Sequence, residues 1–262
     1  MSADQPSTPV SAAVICFNEE ANLRSCLESL GWCDEIVVVD SGSQDRTCDI
    51  ASSFENVRLF SRPFDTFIAQ KNYALDQCQH DWVFSIDADE VVTDELANEI
   101  CELTLHCTPG SCTGFSIRRR TFLGSRHIRF GNWNPDYCLR FFRRSCARWG
   151  GTNPHERVII DGPTQRLQEI LLHYSYRNRQ EYVERTRKYA LMMAEYQFAR
   201  GRRVKRGEAW VHACGNFAKA LLLKRGLLDG SDGVFLAFQE ARASFQKYEH
   251  LSHLQTQSQD AA

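Results

Sequence analysis

The sequence has no CxxC pair and no paired-cysteine zinc spacing, although 11 cysteines are spread over its 262 residues. Cys16, Cys26, Cys101 and Cys214 lie in apolar segments, where a free thiol behaves as a small hydrophobe. This usage excludes a disulfide framework and points to a reducing, cytoplasmic compartment. No apolar run approaches the ~20 residues that a membrane span needs. The longest candidate is Ala218–Leu223. Residues 1–10 are polar and proline-bearing and lack a signal-peptide core. Neither GxGxxG nor GxxxxGK[ST] occurs, so the two common phosphate loops are missing. Charge of one sign is also lacking. A net charge of −2 argues against a general nucleic-acid binder, and no nucleic-acid partner is expected.

What is present is ordinary for a globular protein: 43% hydrophobic and 24% charged residues. The length suits one α/β domain with a smaller appendage. Apolar runs at Val10–Phe17, Glu35–Asp40, Val57–Phe60 and Trp82–Ile86 alternate with helical spacing at 23–30, up to Phe54, at 65–78 and at 93–105. That alternation predicts βαβ units and a mainly parallel sheet. Asn18 is expected as a helix N-cap, with Glu19 and Glu20 at the positive helix end. Three of the strands end in polar residues: Asn18-Glu19, Asp40-Ser41-Gly42-Ser43 and Asp87-Ala88-Asp89-Glu90. In open α/β sheets ligands bind at that rim. Carboxylates at i and i+2, Asp87 and Asp89, can address one hard cation, Mg2+ or Mn2+. Asp40 suits either a nucleoside contact or the capping of its own turn.

From Gly114 to Gly151, nine arginines and no lysine accompany a single acid, Asp136. An anionic substrate is favoured there, because guanidinium pairs bidentately with phosphate. Beyond Tyr174 the chain turns helical, with a basic cluster at 200–206 suited either to an anionic membrane surface or to a solvated basic face. The expected division is a tail at 1–9, an α/β domain at 10–175, a helical region at 176–254 and a disordered tail at 255–262.

ICFNEE, VVVDSGSQDRT and FSIDADE, in that order, resemble the nucleotide-sugar half of family 2 glycosyltransferases with a GT-A fold. NPDYCLRFFRR, NPHE, LLHYSYRN and the glycine-marked segment from Gly226 to Leu251 extend the resemblance toward lipopolysaccharide inner-core β-1,4-glucosyltransferases. The resemblance implies an inverting hexosyl transfer from a UDP-sugar to an anionic glycolipid. It implies nucleotide-sugar contacts at Asn18, Glu20, Asp40, Lys71, Asn72, Asp87 and Ala88. Metal ligation falls to Asp89, Asp87 and His173. The base is Glu156, with Asp136 as its rival, because NPHE carries His-Glu where the family more usually has an acidic pair. Acceptor contacts fall to Arg118, Arg140 and His155, and Trp133 either lines a sugar subsite of the acceptor or belongs to the core. The implied location is the cytoplasm, peripherally on the cytoplasmic face of the inner membrane. The same fold acting on a polyprenyl phosphate or a protein, or a silent nucleotide-sugar-binding module, are the alternatives.

Overall fold

The computed structural model describes residues 8–106, 112–152 and 155–260, with side chains for all of these but His106, His155, Gln259 and Asp260. Along the chain run β1 (Val10–Cys16), α1 (Leu23–Glu28), β2 (Glu35–Asp40), α2 (Thr47–Ser52), β3 (Val57–Ser61) and α3 (Phe67–Gln77). Then come β4 (Trp82–Asp87), β5 (Glu90–Val92), α4 (Asp94–His106), β6 (Gly114–Leu123), β7 (Arg126–His127) and β8 (Tyr137–Arg143). The hairpin β9 (Ala147–Thr152) and β10 (His155–Ile160) precedes β11 (Thr164–Tyr176), α5 (Arg179–Ala199), α6 (Glu208–Ala218) and α7 (Ser231–Asp260).

The fold class is the expected α/β. The main sheet runs β3-β2-β1-β4-β8-β6-β11-β5. Its first four strands are parallel, while β8 joins β4 and β6 antiparallel. The apolar runs form strands here because both faces are covered. Val10, Ala12 and Val14 of β1, Ile36 and Val38 of β2, and Trp82, Phe84 and Ile86 of β4 fill one core. Their alternates Ala13, Val37, Val39 and Val83 fill the opposite core. Period-two geometry sends successive side chains to opposite faces, so continuous hydrophobicity satisfies both layers. The parallel register sets Cys16 beside Asp40 and Ile15 beside Asp87, which levels the carboxyl ends of β1, β2 and β4.

The chain divides into two compact units: residues 1–120 with 136–174, and 121–135 with 175–262. The second unit therefore takes residues 121–135, which the expected boundary at 175 assigned to the first. Its core gathers Leu123, Ile128, Tyr182 and Leu236, with Trp133, Tyr176 and Phe235 against them. α7 runs to Asp260, so residues 255–260 are helical rather than a disordered tail.

Candidate active site

Two loops at the strand ends are stitched together residue by residue. Asn18 donates its backbone N–H to Ser43 Oγ at 2.8 Å and accepts from Gln44 N–H at 2.8 Å. Glu20 donates its N–H to Asp45 and accepts from Arg46 N–H, each at 3.2 Å. Asn18 holds φ of +55°, a left-handed conformation that Asn tolerates better than most residues. It is not the N-cap expected of it, since α1 starts later, after Asn22. Asp40 is 2% exposed and caps its own turn. Its Oδ2 accepts from Gly42 and Ser43 N–H at 2.9 Å, and its Oδ1 accepts from the Ser43 hydroxyl. Burial would raise its pKa, but the Ser43 and Gly42 donors outweigh that and hold it below the ordinary carboxylate value.

Behind these loops lies a chain of alternating charges. Glu156 meets Lys71 at 3.4 Å, and Lys71 meets Asp87 at 2.9 Å. Asp87 meets Arg140 at 2.5 Å, and the same Arg140 nitrogen meets Glu90 at 2.6 Å. Glu90 meets Arg119 at 3.0 Å, and Arg119 closes on Asp136 at 2.6 Å. Four carboxylates and three cations thus form one continuous network. Glu90 is fully buried, and its Oε2 also accepts the Asp87 N–H at 3.0 Å. Lys71 Nζ additionally sits 4.3 Å from the centroid of the Trp149 ring, a cation–π contact. Desolvation works to raise the Asp87 pKa. Arg140 and then Lys71 overcome it and hold that carboxyl well below the usual range.

The β4 strand ends at Asp87, and Ala88, 4% exposed, and Asp89 form the turn into β5. Tyr174 of β11 donates its N–H to the Asp89 carbonyl at 2.8 Å. His173, paired across the ladder with Glu90, brings Nε2 to 3.5 Å from Asp89 Oδ1. A hard carboxylate oxygen and an imidazole nitrogen this close, both partly exposed, fit a single Mg2+ or Mn2+ whose other positions are left to water and phosphate oxygens. Among the described residues no group of three or more His, Cys, Asp or Glu side chains forms a fuller metal cage.

Several expectations change on this geometry. Asp87 has both oxygens engaged by Lys71 and Arg140, so a metal ion there would face two cations, and it leaves the ligand set. Arg140 is 2% exposed and answers internal acids rather than an acceptor. Asn72 spends its whole amide on the backbone of Trp149, at 2.9 and 3.0 Å, and positions Trp149 rather than a nucleotide. Asp136 has one oxygen under Arg119 and the other accepting from the Cys138 thiol, which weakens it as a base. Trp133 packs at 5.7 and 5.6 Å from Tyr176 and Tyr182 in the second unit's core and is no sugar subsite. Arg118 lies exposed on β6. The His155 side chain, expected on the acceptor, lies outside the described residues. Glu156 differs from Asp136: its Oε2 is buried without a hydrogen-bond partner. A cavity of about 690 Å³ lined by Asp81, Arg144, Arg148 and Ile159 opens at the start of β4, the end away from Asp87.

The sequence profile of glycosyl transferase family 2 matches residues 11–135, the stretch that carries all three strand-end motifs. The lipopolysaccharide core biosynthesis glycosyltransferase LpsC of Rhizobium meliloti is 33% identical over 204 residues, covering 76% of this chain and 75% of LpsC. The chain belongs to glycosyltransferase family 2. An uncharacterized glycosyltransferase of Rickettsia typhi, RT0209, is 26% identical over 263 residues, covering 96% of this chain and 89% of its own. Among solved structures, S. aureus TarS 1–349 in complex with UDP aligns with a TM-score of 0.49 at 16% identity, over 95% of this chain and 92% of TarS. The protein is therefore an enzyme of this glycosyltransferase family, built on a mixed α/β sheet whose first four strands are parallel.

Arg119, and the pairing of the rim residue Glu90 with Arg119 and Arg140, are what motif reading did not place in the site. Their signal was present in the sequence: a third acid directly after DAD, and an arginine run without a lysine.

Proposed function

We propose that this glycosyltransferase is an inverting, divalent-cation-dependent hexosyltransferase that moves glucose from UDP-glucose to a heptose of the lipopolysaccharide inner core. The observation that carries the reading is the Asp89–His173 pair at 3.5 Å, set beside the turn that follows β4. The acceptor class is supported by the likeness to LpsC, whose name assigns it to lipopolysaccharide core biosynthesis. Asp89 and His173 would hold the cation, which when bound supplies charge neutralisation for the departing diphosphate. Glu156 is the base. Lys71 fixes its Oε1 and leaves Oε2 without a partner, so the acceptor hydroxyl can donate there. As that proton passes to Glu156, the acceptor oxygen attacks the anomeric carbon, and the bond to the UDP oxygen breaks on the opposite face. The loop stitched through Asn18, Glu20 and Asp40 forms a floor for the nucleoside.

The test is a donor screen of UDP-, GDP- and ADP-sugars with purified lipopolysaccharide core, reading nucleotide release with and without Mn2+. Release only with UDP-glucose, metal and acceptor together is expected. Asp89→Ala should abolish metal-dependent UDP binding. Unchanged turnover in that variant would overturn the metal assignment.

A further inference from the structure

The second unit carries a surface that contains no residue of the charge network or of the Asp89–His173 pair. From residue 209 to 228 the sequence AWVHACGNFAKALLLKRGLL contains no acid and three cations, Lys219, Lys224 and Arg225. Its leucines are turned outward: Leu222 is 66% exposed, Leu223 80%, Leu227 56% and Leu228 64%. These leucines sit on a π-helical turn, 219–223, and a 3-10 turn, 226–229. An apolar patch of this kind on a protein surface marks an interaction site.

The exposure is not the slack of a loose loop, because the backbone beneath it is pinned. Asp229 is 4% exposed and its carboxylate accepts the N–H groups of Arg129 and Phe130, at 3.0 and 2.8 Å. Gly131 donates its N–H to the Lys224 carbonyl at 2.9 Å. Gly226 and Gly233 meet so closely that a Cβ on Gly233 would lie 1.7 Å from the Gly226 carbonyl oxygen. The anchors face inward and the leucines face out, so the unit spends well-made interactions on holding apolar side chains in water.

We propose that the 219–228 turn docks this enzyme on an anionic lipid surface, its leucines entering the interface and Lys219, Lys224 and Arg225 meeting the headgroups. The charge pattern selects this occupant. Apolar side chains ringed by cations and free of acids complement an anionic bilayer, where depth of burial and headgroup attraction add. The basic stretch at 200–206, with Arg200, Arg202, Arg203, Lys205 and Arg206, adds cations of the same sign in the same unit. No helix among the described residues is long and apolar enough to cross a membrane, so the contact is one of surface insertion. This inference stands independently of the donor and acceptor proposed above.

The experiment is co-sedimentation of the full chain with phosphatidylcholine vesicles, with and without phosphatidylglycerol, across a salt series. Binding only to the anionic vesicles, weakening with salt, is expected. Leu222→Ser with Leu223→Ser should cut vesicle affinity by tenfold or more, with circular dichroism and the urea midpoint unchanged. Lys224→Glu should cut it by about fivefold or more, since each basic residue near an anionic surface contributes about a factor of five. Equal binding by the leucine variant, or no binding by the wild type, overturns the proposal. So does a concentration-dependent dimer in sedimentation velocity that the leucine variant loses, which would assign the patch to a second copy of the chain.

Discussion

Replacing Arg140 with Met removes the central cation of the charge network while keeping a long side chain in its place. One Arg140 nitrogen serves both Asp87 at 2.5 Å and Glu90 at 2.6 Å, so both acids lose a partner at once. The network then holds four carboxylates against two cations, and its excess negative charge doubles. Removing one member of a buried ion pair costs about 3–5 kcal/mol, because the remaining charge stays buried and uncompensated. Asp87 keeps Lys71 and Glu90 keeps Arg119 and the Asp87 N–H, which places the expected loss at the lower end, about 3 kcal/mol. Against a total stability of about 5–15 kcal/mol that is a large fraction. Urea unfolding followed by far-ultraviolet circular dichroism reads it directly. The pH dependence has a definite sign. The native Asp87 pKa is depressed, so its contribution is present above the unfolded value and is lost as pH falls through the folded one. In the variant the depression shrinks and protonation relieves the strain earlier, so the gap between wild type and variant narrows toward acid. A loss below about 1 kcal/mol at neutral pH, the size of an ordinary exposed pair, would refute the network as a structural element. A gap that widened on acidification would refute its electrostatic origin.

Glu156→Gln keeps the shape but removes the proton acceptor, and should lower transfer by about 10²–10⁴-fold while UDP binding by calorimetry is retained. Gly233→Ala drives a methyl into the Gly226 carbonyl and should cost about 1–3 kcal/mol by overpacking, seen as a lower urea midpoint. Asp40→Asn turns an amide N–H toward one of three donors, from Gly42 and Ser43, and should cost about 1–3 kcal/mol. Because the native Asp40 pKa is lowered, its stabilisation is present above the unfolded value and fades as pH drops through the folded one. The Asn variant should therefore lose less stability on acidification than the wild type does.

The first four strands were legible because their apolar runs have one physical explanation, burial on both faces, whereas their order in the sheet and the strands from Glu90 to Tyr176 were not. Glu35–Asp40 is a strand with the same bounds in sequence and structure, and Trp82–Ile86 is extended only by Asp87. The rim was legible for the same reason, since parallel strands that start level end level. The pairing within the rim was not. Arg140 finds Asp87 across 53 residues and Asn72 finds Trp149 across 77, and no local spacing encodes such partners. The arginine run suggested an external anion because its own segment holds one acid. Arg119 and Arg140 instead neutralise acids delivered by the β4–β5 turn and by β8's own approach, while Arg143 and Arg148 pair with Asp81 and Asp76. Arginine is the residue best suited to such desolvated pairing, so for Arg119, Arg140, Arg143 and Arg148 the partners are acids of the chain itself. Asn18 failed as a cap for a local reason: its φ of +55° turns the chain into the stitched loop before α1 begins.

In the acidic cluster Asp87-Ala88-Asp89-Glu90 the sequence pairs Asp87 with Asp89 as ligands of one cation, and the structure gives the three carboxylates three surroundings. Asp87 and Glu90 are each held between two cations, Lys71 and Arg140 for the first, Arg119 and Arg140 for the second. Only Asp89 faces a histidine. The separation follows from the backbone. A continuous strand would place residues i and i+2 on one face, but the turn at Ala88–Asp89 breaks that period and sends Asp89 toward β11. A divalent cation drawn to this rim would meet Asp89 together with His173. Asp87 and the buried Glu90 hold Arg140 in place. That division predicts different losses from the same change: an amide at position 89 should weaken metal-dependent UDP binding with little loss of stability, and an amide at position 90 should destabilise the fold first. If both variants lost only binding, or both only stability, the separation of roles would be wrong.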